Sequence, residues 1–368
     1  MREMPEDEIE TYIQKSREEA ERLNSGVKDF AVFDLNHIPE KPLIREEVKK
    51  IVDVFVRYHQ TGIPRHLLIA GARGSGKTLT LKYLARTFSG KLGLPFHAAN
   101  CRVHNTSFKA LAHMLKVRPR GYSYSELCTR FEEQIPEKAV IVLDEVDLLS
   151  EKDFRKDILY FLSRSVRRYN VVLLSNNPKF LNSLDESTRS SLQPDLLVFR
   201  NYSAIEIHEI LKERARAGLH SCDDSLLAEI AALTAKNTNS DIRVAIKTLL
   251  YVVTHEARNV AECFERARQD IVSDMLQNLN DKALLILRAI VEESSGFVKQ
   301  VYSHYCTLSR QVGEEPYSYF YFYGNLSFLQ SIGLIMLVSA KVDRTYTNRV
   351  QPLISKDQIA EVVRGRFQ

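Results

Sequence analysis

The stretch Gly71-Ala72-Arg73-Gly74-Ser75-Gly76-Lys77-Thr78 constrains this 368-residue chain more than any other feature. It follows a short apolar run, Arg65 to Ala70, and precedes Leu79, Leu81, Tyr83, Leu84 and Phe88 at helical intervals, so it reads as a loop joining a strand to a helix. Its glycines let the backbone fold tightly enough for N–H groups to point inward, and the helix adds the positive end of its dipole. Such a loop cradles phosphate oxygens. Lys77 is suited to neutralise β and γ phosphates, and the Thr78 hydroxyl to ligate Mg²⁺.

A second motif strengthens the first. Val140-Ile141-Val142-Leu143 reads as a buried strand that ends abruptly in Asp144-Glu145-Val146-Asp147, where carboxylates emerge at the C-terminal edge of a parallel sheet. Asp144 is the candidate for holding a metal's hydration shell, and Glu145 for orienting or polarising an attacking water. The alternative is that these acids merely cap the next helix. Asn176 follows the strand Val171 to Leu174, within reach of a γ-phosphate or water. Arg243 stands off the apolar stripe Ile242, Ile246, Leu249 and Val253, as a guanidinium reporting on a nucleotide would. For both, a surface or capping role is an equal reading.

Further short apolar runs at Leu94 to Ala99 and Leu196 to Phe199, separated by helical patterns, give an α/β fold with a parallel sheet covered on both faces. Residues 1–25 form an acidic N-terminal arm, 26–202 the nucleotide-binding core, and 203–278 a helical subdomain opened by a capping box of Ser203 and Glu206. Residues 279–368 show three helical stretches and two short strands, Leu334 to Ser339 and Thr345 to Leu353, which is a winged-helix pattern.

Composition matters in two places. From Val54 to Ser125 there are twelve Lys or Arg residues and no Asp or Glu, although the whole chain carries only +4. One contiguous segment therefore holds a field that attracts polyanions, part of it serving the nucleotide and part scattered surface or a second acidic partner. Apolar runs fall well short of the roughly 18 residues of a membrane span, and the N-terminus is not signal-like, so a soluble, cytoplasmic protein without a membrane partner is expected. The spacing of Cys101, Cys128, Cys222, Cys263 and Cys306 suits buried free thiols in a reducing compartment.

In the order GARGSGKT, VIVLDEVD, SNNP, SDIR, followed by a winged helix, the chain resembles AAA+ ATPases. Within them it is similar to the archaeal origin-recognition and helicase-loader initiators, from about Val32 to Leu353. Ile38-Pro39-Glu40 through Arg45-Glu46-Glu47, Asn100-Cys101-Arg102, Ser190-Ser191-Leu192, Val198-Phe199 with Tyr202, and Gly333-Leu334-Ile335 carry that narrower likeness. The resemblance implies ATP and ADP binding with Mg²⁺, weak ATPase activity with slow release of ADP, and nucleoid association on origin DNA. It implies the replicative helicase as partner, with a second initiator copy on DNA as a further candidate. It adds Ile44, Arg45, Tyr202 and Ile210 around the adenine, and Leu79 beside the loop residues Gly71, Gly74, Ser75, Gly76, Lys77 and Thr78. For DNA it implies an insertion around Lys109 to Glu126, with Lys116, Arg118 and Arg120, and the wing residues Lys341, Arg344 and Arg349.

Two departures stand out. The recognition helix, Ser318 to Ile332, buries Phe322, Leu326, Leu329 and Ile332 and turns out Tyr319, Phe320 and Tyr321, where relatives carry basic residues. Aromatics do not neutralise phosphate, but they pack on thymine methyls, wedge into a minor groove, or contribute to core and protein contacts. Where oligomeric relatives place an arginine acting in trans, this chain has Ser191, with Arg189 two residues earlier on another helical face. A slow ATP/ADP switch fits better than a rapid motor. The leading reading is a DNA-bound initiator. The runner-up is a nucleotide-regulated DNA-binding or transcriptional switch without a loading role, and a clamp-loader-like motor ranks third.

Overall fold

In the computed structural model, residues 6–150, 153, 156–254, 259–342 and 345–367 are described. In chain order the elements are α1 (Glu6–Asn24), α2 (Glu46–Thr61), β1 (Leu67–Gly71), α3 (Lys77–Leu92), β2 (Phe96–Asn100), α4 (Ser107–Met114), α5 (Tyr124–Gln134) and β3 (Val140–Asp144). Then follow α6 (Asp157–Arg164), β4 (Asn170–Ser175), α7 (Glu186–Leu192), β5 (Asp195–Phe199), α8 (Ala204–Gly218), α9 (Asp224–Asn237), α10 (Ile242–Thr254) and α11 (Val260–Gln277). The last are α12 (Asp281–Glu292), α13 (Val298–Gln311), α14 (Tyr319–Ser331), β6 (Ile335–Val342), β7 (Thr345–Pro352) and α15 (Lys356–Phe367). The backbone divides into two units, residues 1–43 with 202–278 and residues 44–201 with 279–368.

The second unit holds a five-stranded parallel sheet in the order β2-β3-β4-β1-β5. Its strands alternate between two cores. Leu67, Ile69, Val140, Val142, Val172 and Leu174 face α2 and α3, and Leu68, Ile141, Leu143, Val171 and Leu173 face α4, α5 and α6. Burial on both faces is why these strands read as unbroken apolar runs rather than alternating ones. The P-loop strand β1 lies between β4 and β5, with Ala70 opposite Ser175 and Gly71 opposite Phe199. A side chain at Gly71 would meet the Phe199 carbonyl oxygen at 2.6 Å, so only glycine fits there.

Residues 279–367 build three helices, a two-stranded antiparallel wing and a closing helix. Phe322, Leu326, Leu329 and Ile332 are buried as their spacing predicts. The closing helix α15 was not anticipated from sequence. It packs on α12, buries Ile359 and Val363, and its Arg366 bonds the Leu279 carbonyl and Asp281.

The first unit corrects the expected boundary at residue 26. Residues 26–43 cluster with the helical lid, because the Phe33 ring fills the lid's core beside Ile207, Leu211, Ala231 and Ala245. Buried Arg214 donates to the carbonyls of Val32, Asp34 and His37, tying the segment to α8. Val27 bridges Leu219. The capping box is present: Ser203 Oγ accepts from the Glu206 N–H at 3.2 Å, and the Glu206 carboxylate accepts from the Ser203 N–H at 2.8 Å. The N-terminal arm is a regular helix, α1, with an exposed surface. All five cysteines are free thiols. Among the described residues no helix is long and apolar enough to cross a membrane.

Candidate nucleotide site and nucleic-acid interface

Strand order brings the two motifs together. Asn100 is in register with Asp144, and Leu143 with Leu173, so the ends of β2, β3, β4 and β1 converge on one edge of the sheet. Gly74 (φ 73°) and Gly76 (φ 87°) adopt left-handed backbone, which curls the loop onto the first turn of α3. Lys77 is buried; its ammonium donates to the carbonyls of Gly71 (2.7 Å) and Ala72 (3.0 Å) and to Asn176 Oδ1 (3.1 Å). Thr78 Oγ1 lies 3.2 and 3.1 Å from the two oxygens of Asp144. Ser75 Oγ is buried without a hydrogen-bond partner, a polar atom a phosphate would satisfy.

The electrostatics are those of a buried polar cluster. Burial pushes Lys77 down to about 8, against the attraction of Asp147, Asp144 and Glu145. Burial also raises Asp144, assisted by the neighbouring charge of Glu145 and opposed by the Thr78 hydroxyl and Lys77. Three carboxylates sit within four residues of one turn, and burial disfavours the charged form of two of them, Asp144 and Asp147. A hydroxyl and a carboxylate converging beside an orphaned serine is a donor set suited to Mg²⁺ with a nucleotide.

Sequence reasoning missed several contributors. Asp147 Oδ1 accepts from Ser175 Oγ (2.8 Å) and from the Asn176 N–H (3.3 Å), and so orients Asn176 toward Lys77. Glu145 has left-handed backbone (φ 52°) and is met by Asn100 Nδ2 (3.3 Å), Arg102 Nε (3.3 Å) and Arg73 Nη2 (3.8 Å). Arg102 was marked only by its place in the acid-free segment and in the run Asn100-Cys101-Arg102, with no role attached.

The remaining candidates are placed less directly. Arg45 is buried and donates to the carbonyls of Ser75 (2.8 Å) and Arg200 (2.9 Å), with its guanidinium over the Phe199 ring. In this arrangement it braces the loop, a role beside the expected one at the adenine. Ile44 is 66% exposed and Leu79 half-buried. In the other unit, Tyr202 joins the lid core with Ile210 packed against it, and Arg243 is clasped by Asp241, with Nε 2.9 Å from Oδ1. Ser191 Oγ accepts from Arg164 Nε at 2.7 Å, and Arg189 is exposed.

Lys116, Arg118 and Arg120 are all exposed on the loop between α4 and α5, where Lys116 (φ 57°) and Gly121 (φ 80°) turn the chain. On α14, Phe320 is 82% exposed, while Tyr319 sets its ring edge-on to Tyr302 at 5.1 Å and Tyr321 is partly exposed. The helix carries no charged residue. Arg349 stacks over Phe297 at 4.5 Å, the Lys341 backbone pairs with Tyr346, and Arg344 lies outside the described residues.

A parallel sheet with this loop and these acids at one edge, followed by a helical lid and a winged helix, defines a P-loop ATPase of the AAA+ class. Residues 62–182 match the family model described as an AAA domain. The chain is 29% identical over 312 residues to the ORC1-type DNA replication protein 1 of Sulfurisphaera tokodaii, covering 76% of this chain and 78% of that protein. Its fold is similar to that of Aeropyrum pernix ORC1, solved in complex with DNA, with TM-score 0.66, 23% identity, and coverage of 93% and 97%. It is similar also to Aeropyrum pernix ORC2, solved as ADPNP-ADP complexes, with TM-score 0.64, 21% identity, and coverage of 93% and 98%. Within that class the chain is similar to archaeal ORC1-type DNA replication proteins.

Proposed function

We propose that this protein is a DNA replication initiator that binds origin DNA, assists loading of the replicative helicase, and works as a slow ATP/ADP switch. One observation carries the reading. The nucleotide cradle and an exposed, acid-free basic loop belong to one α/β core, since α4, which leads into Lys116, Arg118 and Arg120, follows β2, whose last residue Asn100 is in register with Asp144.

In this reading the P-loop N–H groups and Lys77 hold the phosphates, and Asn176, turned by Asp147, contacts the γ-phosphate or the water. Glu145 orients the water and accepts its proton. Thr78 and Asp144 would hold Mg²⁺, which supplies charge neutralisation between β and γ phosphates when bound. Arg243 senses the nucleotide from the lid, and Ile44, Arg45, Leu79, Tyr202 and Ile210 serve the base and its surroundings. Ser191, engaged by Arg164, offers no guanidinium in trans, which suits slow turnover. Lys116, Arg118 and Arg120, with the wing residues Lys341, Arg344 and Arg349, take DNA phosphates, while Tyr319, Phe320 and Tyr321 meet base edges or steps. The relatives' names, which call them DNA replication proteins, support the initiator role.

Two measurements test this. Glu145→Gln should bind ATP as the wild type does and lose turnover; unchanged hydrolysis removes Glu145 from its role. Origin and scrambled duplexes at matched salt should bind unequally. Equal affinities with no helicase interaction would favour the regulatory DNA-binding switch instead.

A further inference from the structure

From Pro316 to Ala340 the chain has no Lys, Arg, Asp or Glu, and α14 lies wholly within this run. Its first turn sets out three consecutive rings, Tyr319 (42% exposed), Phe320 (82%) and Tyr321 (48%). Neighbouring rings support them. Tyr319 is edge-on to Tyr302 at 5.1 Å and 6.5 Å from Tyr323, and Tyr321 lies 6.4 Å from Tyr317, which lies 6.4 Å from buried Tyr305. Beneath them buried Phe322 stacks on Tyr305 at 5.5 Å. Rings already fixed by their neighbours lose little rotamer freedom when a ligand covers them. We propose that the first turn of α14 is a stacking platform for unpaired DNA bases. The inference rests on the DNA-bound reading above and names the form of DNA that this element takes.

Direction is the first feature that selects unpaired over paired DNA. Successive helix positions turn by roughly 100°, so the three rings fan through about 200° and do not enter one base-pair step together. Unpaired bases each present a π-face, and each ring can take one. Missing charge is the second. A helix in the major groove lies between two rows of phosphates, which with the sugars take at least half of protein–DNA hydrogen bonds, and α14 has no cation to meet them. Glu314 and Glu315 stand just before it, a poor approach for a duplex; a single strand carries about half the charge per unit length. The third is where the cations lie. Lys282 Nζ sits over the Tyr317 ring at 4.7 Å, and exposed Arg310 is in the last turn of α13, the helix that supplies Tyr302 and Tyr305. On the wing, exposed Arg349 follows Asn348, whose Nδ2 donates to the Tyr323 hydroxyl at 2.5 Å. Rings at the centre and cations at the margin match stacked bases with their phosphates outside. A protein contact would need only apolar bulk at Phe320, whereas stacking needs the ring.

The chain contains no tryptophan, so Phe320→Trp installs a single reporter whose emission a stacked base quenches. The full-length protein is titrated with one DNA sequence in three forms at matched salt: duplex, single strand, and duplex with a central unpaired bubble. Anisotropy of labelled DNA gives the affinities. Phe320→Trp should bind the bubble as the wild type does, and the bubble and single strand should quench its emission more than the duplex does. Phe320→Leu, which keeps apolar bulk and loses the ring, should bind the bubble and single strand roughly tenfold more weakly, with a smaller loss on the duplex. Phe320 stands outside the buried set Phe322, Leu326 and Leu329, so neither variant disturbs the helix's packing. A Phe320→Leu variant that binds the bubble as tightly as the wild type overturns the proposal and assigns the face to a protein contact. Equal quenching of Phe320→Trp by duplex and bubble overturns it as well. Equal affinities for origin and scrambled duplexes would count against the initiator reading alone, since the stacking comparison is made within one sequence.

Discussion

Thr78 Oγ1 stands 3.1 and 3.2 Å from the two oxygens of Asp144, joining the first turn of α3 to the end of β3 across the intervening strand positions. A hydroxyl that close to a carboxylate held above its ordinary range by burial and by Glu145 is a pair arranged around positive charge. Thr78→Ala should therefore weaken ATP binding about tenfold in Mg²⁺, close to 1.4 kcal/mol, while leaving binding in EDTA nearly unchanged. Titrating a fluorescent nucleotide under both conditions checks this; equal losses in both would separate Thr78 from the metal.

Lys77 yields a prediction in which two signs oppose. Burial holds its folded pKa near 8, below the ordinary 10.5 that the unfolded chain retains. Between those values the unfolded chain binds more protons, so this group's contribution to the stability of the nucleotide-free protein rises as pH goes from about 8 to about 10.5. ATP affinity should fall over the same window, because the ammonium that meets the phosphates is lost. Lys77→Met should flatten the rise in stability and abolish most nucleotide binding. Thermal melts with and without ATP from pH 7 to 10 would expose both effects, and parallel melting curves for wild type and variant would refute the assignment.

The nucleotide motifs were legible because each is local: a turn forced by Gly74 and Gly76, and an apolar strand ending at Asp144. A parallel sheet was implied by alternation, which let Lys77, Asn176, Thr78 and Asp144 be expected at one edge before their distances were known, whereas the strand order itself was not read from the sequence. What stayed hidden depends on partners far away in sequence. Arg102 reads as one more cation until β2 is paired with β3, which sets it against Glu145. Phe33 reads as part of the core until Gly218 is seen to clear a place for its ring. Arg45 carries no signal for its bonds to Ser75 and Arg200, both distant along the chain.

Gly218 gives a contest between two known effects. Alanine in the last turn of α8 should gain up to about 1 kcal/mol of helix propensity over glycine. Yet its Cβ would lie 2.8 Å from Phe33 Cε2 and 3.1 Å from the Asp29 carbonyl oxygen. Overpacking of that kind costs roughly 1–3 kcal/mol, so Gly218→Ala should destabilise the protein, and Gly218→Ala combined with Phe33→Leu should recover part of the loss. Urea denaturation of the single and double variants measures the difference. A stabilised single variant would show that residues 26–43 do not pack on the lid as described.

The two proposed DNA elements should fail in different ways because their chemistry differs. Lys116, Arg118 and Arg120 are exposed cations, so each one that neutralises a phosphate releases a counterion on binding. Arg118→Ala should lower affinity at every sequence and reduce the slope of log K against log salt by about 1. Phe320 is uncharged, 82% exposed and set on a helix without a single charge, so it has no counterion to release. Phe320→Ala should weaken binding while leaving the salt slope intact, and the loss should depend on sequence if the ring packs on base edges or steps. Anisotropy titrations across a salt series, on two duplexes of different sequence, resolve both quantities. An unchanged affinity for Phe320→Ala would assign the exposed ring to a protein contact, and an unchanged slope for Arg118→Ala would take the loop after α4 off the DNA.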